Sequence, residues 1–367
     1  MAAQNQRVVR VELGEQSYDI RIGYQLESEI RDFVSKAGFS DRALIVTDGN
    51  VGPLYGGRLQ KLLMEAGLPH AEVFTVQAGE PSKSLGVAEQ IYTRCIELGM
   101  DRKSPIFALG GGVVGDLAGF IAATYMRGVP FVQLPTSLLA QVDSSVGGKV
   151  AVNHALGKNL IGAFYQPRAV FMDLSLMDSL PPREISTGLG EVVKYGLIYD
   201  EEFFSFLEQH VDSILALEPA ALTHIIARSC EIKAAVVSED EKEAGLRRIL
   251  NFGHTIAHAI EKETGYQRYN HGEAVAIGMV GAIDISIRLG LLDSTVLPRV
   301  KALLQSLRLP VVAGGCTVDA MYRDIFHDKK TVGGKVTWVL LGGIGSTVCR
   351  NDVPEAEVRA AMAGILL

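Results

Sequence analysis

Short apolar runs alternate with stretches of helical spacing through the first half of the chain. Runs typical of strands cover residues 42–47, 72–76, 105–109 and 130–134. Helical spacing covers the stretches at 57–66, 84–97 and 116–125. Because strands that alternate with helices build βαβ units, this half is predicted to be an α/β domain with a mostly parallel sheet.

The pattern changes after residue 171. The string LPPRE at 180–184 predicts a break, since proline cannot continue a helix interior and restricts the residue before it. Beyond it, apolar residues recur at near-helical spacing, and only residues 335–341 (KVTWVLL) suggest a late strand. We therefore predict two domains, 1–175 and 176–367, of which the second is mainly α-helical.

Composition and charge narrow the class of protein. The 367 residues are 48% hydrophobic and carry a formal net charge of −7, which argues against general binding of nucleic acid or anionic membranes. The four cysteines are far apart and form no CxxC pair, so a disulfide framework or zinc knuckle is not expected. With no signal-peptide pattern and no apolar run of roughly 20 residues, we expect a cytoplasmic protein.

A glycine-rich loop follows one of the predicted strands. Residues 110–115 (GGGVVG) match GxGxxG and precede a predicted helix, where backbone N–H groups favour a pyrophosphate. The acid expected about 20 positions later is missing, and Asp48, at the end of an earlier strand, could replace it. The pattern indicates nucleotide binding on a sheet that is not an ordinary Rossmann half; the alternative is a tight structural turn.

Histidines and carboxylates in the second half suggest a metal site. His254, His258 and Glu261 share one face of a predicted helix, His271 begins another helix, and Glu191 follows the proline break. Two histidines, a carboxylate and an open position suit a catalytic zinc ion. The spacing does not choose among these five residues, and HExxH is absent.

Cationic residues accompany these candidates. Lys149 and Lys158 lie in glycine-containing loops, Lys233 lies in an apolar run, and Lys194 and Arg247 lie near Glu191 and His254 in the sequence. A polyanionic substrate needs such a set, because lysine supplies point charges and arginine a bidentate fork. The alternative for any single lysine is a solvated surface residue.

Five strings together resemble the 3-dehydroquinate synthase family of sugar-phosphate cyclases. In chain order they are GGGVVGDLAGFIAATYMRG, LPTSLLAQVDSSVGGKVAVNHALGKNLIGAFYQP, LPPREISTGLGEVVKYG, RRILNFGHTIAHAIE and HGEAVAIGM, with a weaker match, HDKK, at 327–330. An ordered series over residues 110–279 is far more specific than any one motif. The resemblance implies a homodimer with an N-terminal NAD-binding domain and a C-terminal domain that binds Zn²⁺ or Co²⁺.

The resemblance also assigns the cofactor sites. It implies Glu191, His254 and His271 as metal ligands, which leaves His258 as a substrate contact and Glu261 as a surface or supporting residue. It places the NAD contacts on Asp48, Glu80, Lys83, Gly112, Val113, Val114, Gly115, Asp116, Thr136, Ser137, Lys149, Lys158, Leu176, Met177, Asp178 and Ser179. Ser137 departs mildly from the family, in which threonine is common.

The substrate contacts follow in the same way. The resemblance places them on Asp143, Lys149, Asn159, Lys194, Lys233, Arg247, Asn251 and His258. Arg127 resembles an arginine that reaches the phosphate of the neighbouring subunit, and Lys330, or else Lys329, resembles a late phosphate-binding lysine.

The implied reaction converts 3-deoxy-D-arabino-heptulosonate 7-phosphate to 3-dehydroquinate and phosphate, in the shikimate pathway. It proceeds by transient NAD-dependent oxidation, phosphate elimination, re-reduction and intramolecular aldol closure. Three alternative functions remain open. They are another sugar-phosphate cyclase, a metal-dependent polyol dehydrogenase that releases NADH, and a non-catalytic protein that binds NAD or metal.

Overall fold

A computed structural model describes residues 6–325, 331–332 and 335–367, and for residues 331, 332 and 335 only the backbone. The chain forms two compact units. The first unit comprises residues up to Leu180 together with Leu222–Glu241, and the second comprises Pro181–Ala221 and Lys242–Leu367. Lys329 and Lys330, both candidates for phosphate binding, lie outside the described residues.

The first unit contains a sheet, a hairpin and helices. Its strands are β1 (Arg7–Val11), β2 (Tyr18–Gly23), β3 (Arg42–Asp48), β4 (His70–Val76), β5 (Ile106–Gly110), β6 (Phe131–Pro135), β7 (Lys149–His154), β8 (Gly157–Phe164) and β9 (Ala169–Asp173). Its helices are α1 (Glu27–Lys36), α2 (Gly57–Glu65), α3 (Leu85–Glu97), α4 (Gly112–Thr124) and most of α8 (Pro219–Glu239).

The sheet of the first unit has the order β1-β2-β9-β6-β5-β3-β4. Only β1 and β2 pair antiparallel; the other neighbours are parallel. Both faces of the sheet are covered, because Leu44 and Val46 of β3 pack with α3 and α4, whereas Ala43 and Ile45 pack with α1 and α2. Burial on both faces explains why these strands read as nearly continuous apolar runs.

The chain direction changes at the centre of this sheet. From β3 the chain continues to β4 on one side, whereas from β5 it continues to β6 on the other side. Thr47 pairs with Leu109, so the following residues, Asp48 and Gly110, end adjacent parallel strands at the same edge. In open α/β sheets, ligands bind at such a switch point, beyond the carboxyl ends of the strands.

The second unit is mainly helical. Its elements are α5 (Pro182–Tyr199), α6 (Glu201–Gln209), α7 (Val211–Leu215), α9 (His254–Glu263), α10 (His271–Arg288), α11 (Val296–Ser306), α12 (Val318–Ile325), β10 (Thr331–Val332), β11 (Lys335–Val336), β12 (Trp338–Gly343), β13 (Ser346–Arg350) and α13 (Glu355–Ala363). Helix α10 packs against α5, α9, α11 and α13, and 13 of its 18 residues are buried. The predicted fold class, an α/β part with a mostly parallel sheet and a mainly helical part, is confirmed.

Three details differ from the sequence predictions. Lys149 and Lys158 were expected in loops, but they lie on the antiparallel hairpin β7–β8. The helix expected from residue 116 begins at Gly112, so most of the glycine motif forms its first turn. The late strand begins at Trp338, because residue 337 separates it from the short strand β11.

The compact units also differ from the predicted domains 1–175 and 176–367. They divide at Leu180 and Pro181, where the proline pair opens α5, and residues 222–241 belong to the first unit. Within that unit the Cys230 thiol lies 3.4 Å from the Gln141 carbonyl oxygen and 3.7 Å from the Met172 sulfur. Helical spacing does not reveal such a packing partner.

Candidate functional site

Three residues of the second unit converge as a candidate metal centre. Glu191, His254 and His271 each present one ligand atom, and these atoms lie within 4.8 Å of one another. The Nε2 atoms of His254 and His271 lie 3.5 and 3.6 Å from Glu191 Oε1. Among the described residues, this is the one group of three such side chains with that geometry.

A glycine stands beside each of the three residues and permits close helix packing. A Cβ atom on Gly190, which precedes Glu191, would lie 2.5 Å from the Gly272 carbonyl oxygen. A Cβ atom on Gly272, which follows His271, would overlap the Thr187 carbonyl oxygen. Gly253, which precedes His254, has φ of +77° and faces the backbone of α10 at Met279. Helices α5 and α9 therefore each approach α10 closely at the points where the three side chains emerge.

The start of α10, where His271 lies, is fixed by polar contacts. The Asn270 N–H donates to Glu273 at 2.8 Å, and the two residues form a capping box. Arg183, in the first turn of α5, donates to both oxygens of Glu273 at 2.7 Å. The first turns of α5 and α10 are thus joined by a bidentate charged pair, which fixes the backbone of His271.

The Glu191 carboxylate fits a divalent cation. Its side chain is fully buried, and neither oxygen accepts a hydrogen bond of normal geometry from the described residues. The Lys194 ammonium forms an ion pair with Oε2, whereas Oε1 faces both imidazoles. Because burial removes the solvation of both oxygens and Lys194 pairs with Oε2, a cation beside Oε1 would stabilise the second oxygen.

The two other metal candidates from the sequence are placed differently. Glu261 contacts His271 through Nδ1, at 3.2 Å, and not through Nε2. The ring centroid of His258 lies 5.7 Å from that of His254 and 6.3 Å from that of His271. Neither belongs to the group of three, although both lie next to it.

The remaining substrate candidates of the second unit are buried or held by neighbours. The side chain of Lys194 is 1% exposed, and its Nζ donates to the Leu250 carbonyl oxygen at 2.9 Å. Arg247 is 2% exposed and lies with Asn251 in the 3₁₀-helix Leu246–Asn251. The Asn251 amide donates to Glu243 at 2.5 Å. The burial of Lys194 and Arg247 argues against the alternative that they are solvated surface residues.

In the first unit, the glycine loop lies at the switch point of the sheet. Gly110 ends β5, and Gly112 opens α4, so N–H groups at the start of a 13-residue helix point beyond the sheet edge. A Cβ atom on Gly112 would lie 2.8 Å from Ser144 Oγ, and one on Gly110 would lie 2.7 Å from Val114 Cβ. The loop therefore needs glycine for its own packing, and a pyrophosphate at this helix end fits the donor set.

The predicted NAD contacts that surround the loop lie on neighbouring segments. The Thr136 N–H donates to the Gly110 carbonyl oxygen at 3.0 Å, and Ser137 Oγ would be 3.4 Å from a Cβ on Gly111. Asp48 accepts hydrogen bonds from two N–H groups of the turn that follows β3, at 2.8 and 3.0 Å. Four further predicted contacts, from Leu176 to Ser179, lie in the 3₁₀-helix Leu174–Ser179.

A network of polar side chains connects the start of α4 to the hairpin β7–β8. Lys83 is 3% exposed and donates at 2.6 Å to both Asp116 and Asn159. Burial raises the pKa of the Asp116 carboxyl group, and the Lys83 ammonium opposes that shift. Asn153, which the sequence analysis missed, donates to Glu80 at 2.6 Å and accepts from the Asn159 N–H at 2.9 Å. The one available signal was an asparagine after three apolar strand residues.

Three other predicted site residues of the first unit are Lys233, Lys158 and Arg127. Lys233, 5% exposed on α8, donates at 2.7 Å to both the carbonyl and the carboxylate of Asp143. Lys158 lies 3.8 Å from the Glu80 carboxylate. Arg127 lies in the short 3₁₀-helix Tyr125–Arg127 with a left-handed φ of +67°. The glycine motif forms the N-terminal end of α4, whereas Arg127 follows its C-terminal end.

Family models match most of the chain. A model described as 3-dehydroquinate synthase N-terminal matches residues 73–187, and one described as 3-dehydroquinate synthase C-terminal matches residues 188–331. A 3-dehydroquinate synthase from Desulforamulus reducens is 47% identical over 97% of this chain and 99% of that protein.

In the described part of the chain, no helix has the length and apolarity needed to cross a membrane.

Solved structures of two other synthases share the fold. The 2-epi-5-epi-valiolone synthase from Streptomyces hygroscopicus, with NAD⁺ and Zn²⁺ bound, has a TM-score of 0.88 and 30% identity, covering 98% of this chain and 99% of that one. A 2-deoxy-scyllo-inosose synthase complexed with carbaglucose-6-phosphate, NAD⁺ and Co²⁺ has a TM-score of 0.89 and 27% identity, covering 98% of this chain and all of that one.

Proposed function

This chain belongs to the 3-dehydroquinate synthase family, and we propose that it converts 3-deoxy-D-arabino-heptulosonate 7-phosphate to 3-dehydroquinate and phosphate. The reaction is a step of the shikimate pathway and of aromatic amino acid biosynthesis. The observation that carries the proposal is the Glu191–His254–His271 group, found in a chain that matches a named 3-dehydroquinate synthase over nearly its full length.

Zn²⁺ or Co²⁺ is the proposed metal, and NAD is the proposed second cofactor. When bound, the metal would supply a Lewis acid for substrate hydroxyl groups, and NAD would supply a reversible hydride acceptor. Glu191, His254 and His271 would hold the metal, whose ligand chemistry suits either ion. The N–H groups at the start of α4 would hold the NAD pyrophosphate.

The cofactor-binding role extends to the residues around the glycine loop. We propose Asp48 and Glu80 as contacts to the NAD hydroxyl groups, with Lys83 holding Asp116 and Asn159 in place. Support comes from the switch-point position of Asp48 beside Gly110 and from the buried Lys83 network. Thr136, Ser137, Lys149, Lys158 and the segment 176–179 complete the proposed set.

The substrate is a dianion or trianion, and the proposed contacts are mostly cationic. Lys233 and Arg247 would bind the carboxylate, and Lys149 and Asn159 would bind the phosphate. Lys233 is buried and held at 2.7 Å by Asp143, so its ammonium is fixed before the substrate arrives. Lys194, Asn251 and His258 would orient the substrate hydroxyl groups. In this account the protein acts mainly by positioning and electrostatic stabilisation.

No side chain is assigned as the base of the elimination step. The residues proposed around the phosphate are lysines, an arginine and an amide, which are poor proton acceptors. We propose that the phosphate of the substrate accepts the proton from the adjacent C–H as the C–O bond to phosphate breaks. The proton and the leaving group then depart together as hydrogen phosphate.

A homodimer and a cytoplasmic location are part of the proposal. The dimer is expected because Arg127 is proposed to contact the phosphate bound by a neighbouring subunit. The cytoplasm is expected because the four cysteines, Cys95, Cys230, Cys316 and Cys349, are free thiols. Sedimentation of the purified protein and fractionation of cells test these two points separately.

Substrate choice tests the proposed function. The purified protein, loaded with Zn²⁺ and supplied with NAD⁺, is incubated with the heptulosonate phosphate or with a seven-carbon ketose phosphate that lacks the carboxylate. We expect phosphate and 3-dehydroquinate from the first substrate, and a kcat/KM at least about 100-fold lower for the second, since Lys233 and Arg247 would lose their charged partner. Equal turnover of both would indicate another sugar-phosphate cyclase.

A further inference from the structure

The carboxylate of Glu261 contacts His271, one of the three candidate metal ligands, on the side of the ring that faces away from Glu191. Glu261 Oε1 lies 3.2 Å from His271 Nδ1, whereas His271 Nε2, on the other side of the ring, lies 3.6 Å from Glu191 Oε1. The Glu261 side chain is only 11% exposed. A buried carboxylate thus faces the one ring nitrogen that does not face the group of three.

This contact decides which ring nitrogen can bind a cation. A neutral imidazole carries one N–H, and the other nitrogen keeps the lone pair. With the Nδ1–H donated to Glu261, the lone pair of His271 lies on Nε2, toward Glu191. His254 is arranged in the same way, because its Nδ1 lies 3.0 Å from the Phe252 carbonyl oxygen and its Nε2 faces Glu191 Oε1.

The two contacts differ in strength. The partner of His254 is a neutral backbone carbonyl two residues away, whereas the partner of His271 is a charged side chain from another helix. A hydrogen bond to an ionised acceptor is roughly twice as strong as one between neutral groups. Glu261 also belongs to α9, the helix that carries His254, so it ties the His271 ring to the helix of the other histidine.

We infer that Glu261 is a positioning residue that sets the tautomer and ring orientation of His271 for metal binding. The inference rests on the proposed function only in so far as both use the same metal centre. Carboxylate partners of this kind orient a metal-binding histidine and raise its basicity, and their loss typically costs about 10- to 100-fold in metal affinity.

Metal binding without substrate or NAD tests this role. Wild-type protein, Glu261→Ala, Glu261→Gln and the control Glu263→Ala are stripped with a chelator. Zn²⁺ affinity is then measured by competition with a chromophoric chelator, and the visible spectrum of the Co²⁺ form is recorded. Glu263 is a suitable control, because it lies on the same helix and, among the described residues, interacts with Asp324, Arg323 and Lys262.

The expected order of Zn²⁺ affinities distinguishes a role in positioning His271 from a general effect on the stability of the fold. Glu261→Ala should bind Zn²⁺ about 10- to 100-fold more weakly and alter the Co²⁺ spectrum. Glu261→Gln should lose less, since its amide oxygen can still accept the Nδ1–H, and Glu263→Ala should match wild type. Thermal unfolding of the metal-free proteins checks that each variant is folded.

Several outcomes would overturn the inference. Wild-type affinity in Glu261→Ala, or an equal loss in Glu261→Ala and Glu263→Ala, would do so. If Glu261→Ala does not fold, Glu261→Gln decides: a weaker affinity with a shifted Co²⁺ spectrum supports the role, and wild-type values for both contradict it. Because neither substrate nor NAD is present, these results stand apart from the test of the synthase reaction.

Discussion

Gly190 and Gly272 meet backbone to backbone, and a side chain on Gly190 would lie 2.5 Å from the carbonyl oxygen of Gly272. Each of them is the immediate neighbour of a candidate metal ligand, Glu191 in one case and His271 in the other. The glycines let α5 and α10 approach closely enough for the two ligand atoms to share one cation. The geometry of the candidate metal centre thus depends on two residues that have no side chain.

Gly272→Ala should weaken both folding and metal binding. The added methyl group would overlap the backbone oxygen of Thr187, which cannot move as a flexible side chain can, so we expect a loss of about 1–3 kcal/mol in the free energy of unfolding. Zn²⁺ affinity should fall as well, because the helices must separate. Denaturant unfolding and chelator competition measure the two effects.

The control for this variant is Gly86→Ala in α3, where, among the described residues, the added methyl group would have no neighbour within 4 Å beyond the adjacent residues and the backbone of its own helix. It should leave Zn²⁺ affinity unchanged and stabilise the fold by about 0.5–1 kcal/mol, since alanine is favoured over glycine in a helix. Full stability and full affinity in Gly272→Ala would show that the close crossing is not required.

Gly112→Ala should weaken NAD⁺ binding because its methyl group would lie 2.8 Å from Ser144 Oγ and displace the start of α4. We expect about a tenfold loss, roughly 1.4 kcal/mol, by calorimetry or fluorescence titration. Ser144→Ala alone should bind normally, because Ser144 Oγ has no hydrogen-bond partner in the described structure. The double variant should recover part of the loss; if it binds as poorly as Gly112→Ala, the clash is not the cause.

Mixing two inactive variants tests whether Arg127 acts on a neighbouring subunit. Arg127→Ala and Glu191→Gln should each have low activity alone. In a mixed dimer, one site would combine an intact Glu191 with an intact Arg127 from the other subunit, so statistical mixing should restore about a quarter of wild-type activity. Subunit exchange followed by a phosphate-release assay measures this. No recovery after demonstrated exchange would place Arg127 in its own subunit's site or outside any site.

The cysteines should differ sharply in reactivity. Burial raises the pKa of Cys95 and of Cys230 to about 12. Since the thiolate is the reactive form, roughly 10⁻⁴ of each would be ionised at pH 8, and reaction should slow further as the pH falls. Cys349 is exposed and Cys316 is partly exposed. A thiol reagent at pH 8 should therefore label only these two in the native protein and all four after unfolding; native labelling of Cys230 would contradict the burial of α8.

The sequence predicts those parts of the fold that rest on local pattern. The strands at 42–47 and 105–109 were predicted because burial on both faces makes them continuously apolar, and the structure contains β3 and β5 there. The hairpin β7–β8 was missed because most residues of β8 are exposed or half-buried, which leaves no alternation to detect. The membership of Leu222–Glu241 in the first unit depends on packing alone.

The candidate site also has a part that local sequence pattern predicts and a part that depends on tertiary packing. Helical spacing gathers His254, His258 and Glu261 on one face, but it does not say which nitrogen or oxygen points to a shared centre. That choice depends on the crossing of α10 at Gly272 and on the contact between Glu261 and His271, which are tertiary features. The family resemblance named the group of three, and the geometry shows that these side chains could share a metal ion.

The stoichiometry of NAD distinguishes the synthase reaction from a dehydrogenase reaction. Wild-type protein with Zn²⁺, excess heptulosonate phosphate and limiting NAD⁺ is followed by phosphate release and by absorbance of NADH. We expect many phosphates to be released for each NAD⁺ supplied, with no net NADH. Accumulation of one NADH for each substrate consumed, with the phosphate retained, would contradict this expectation and indicate a dehydrogenase.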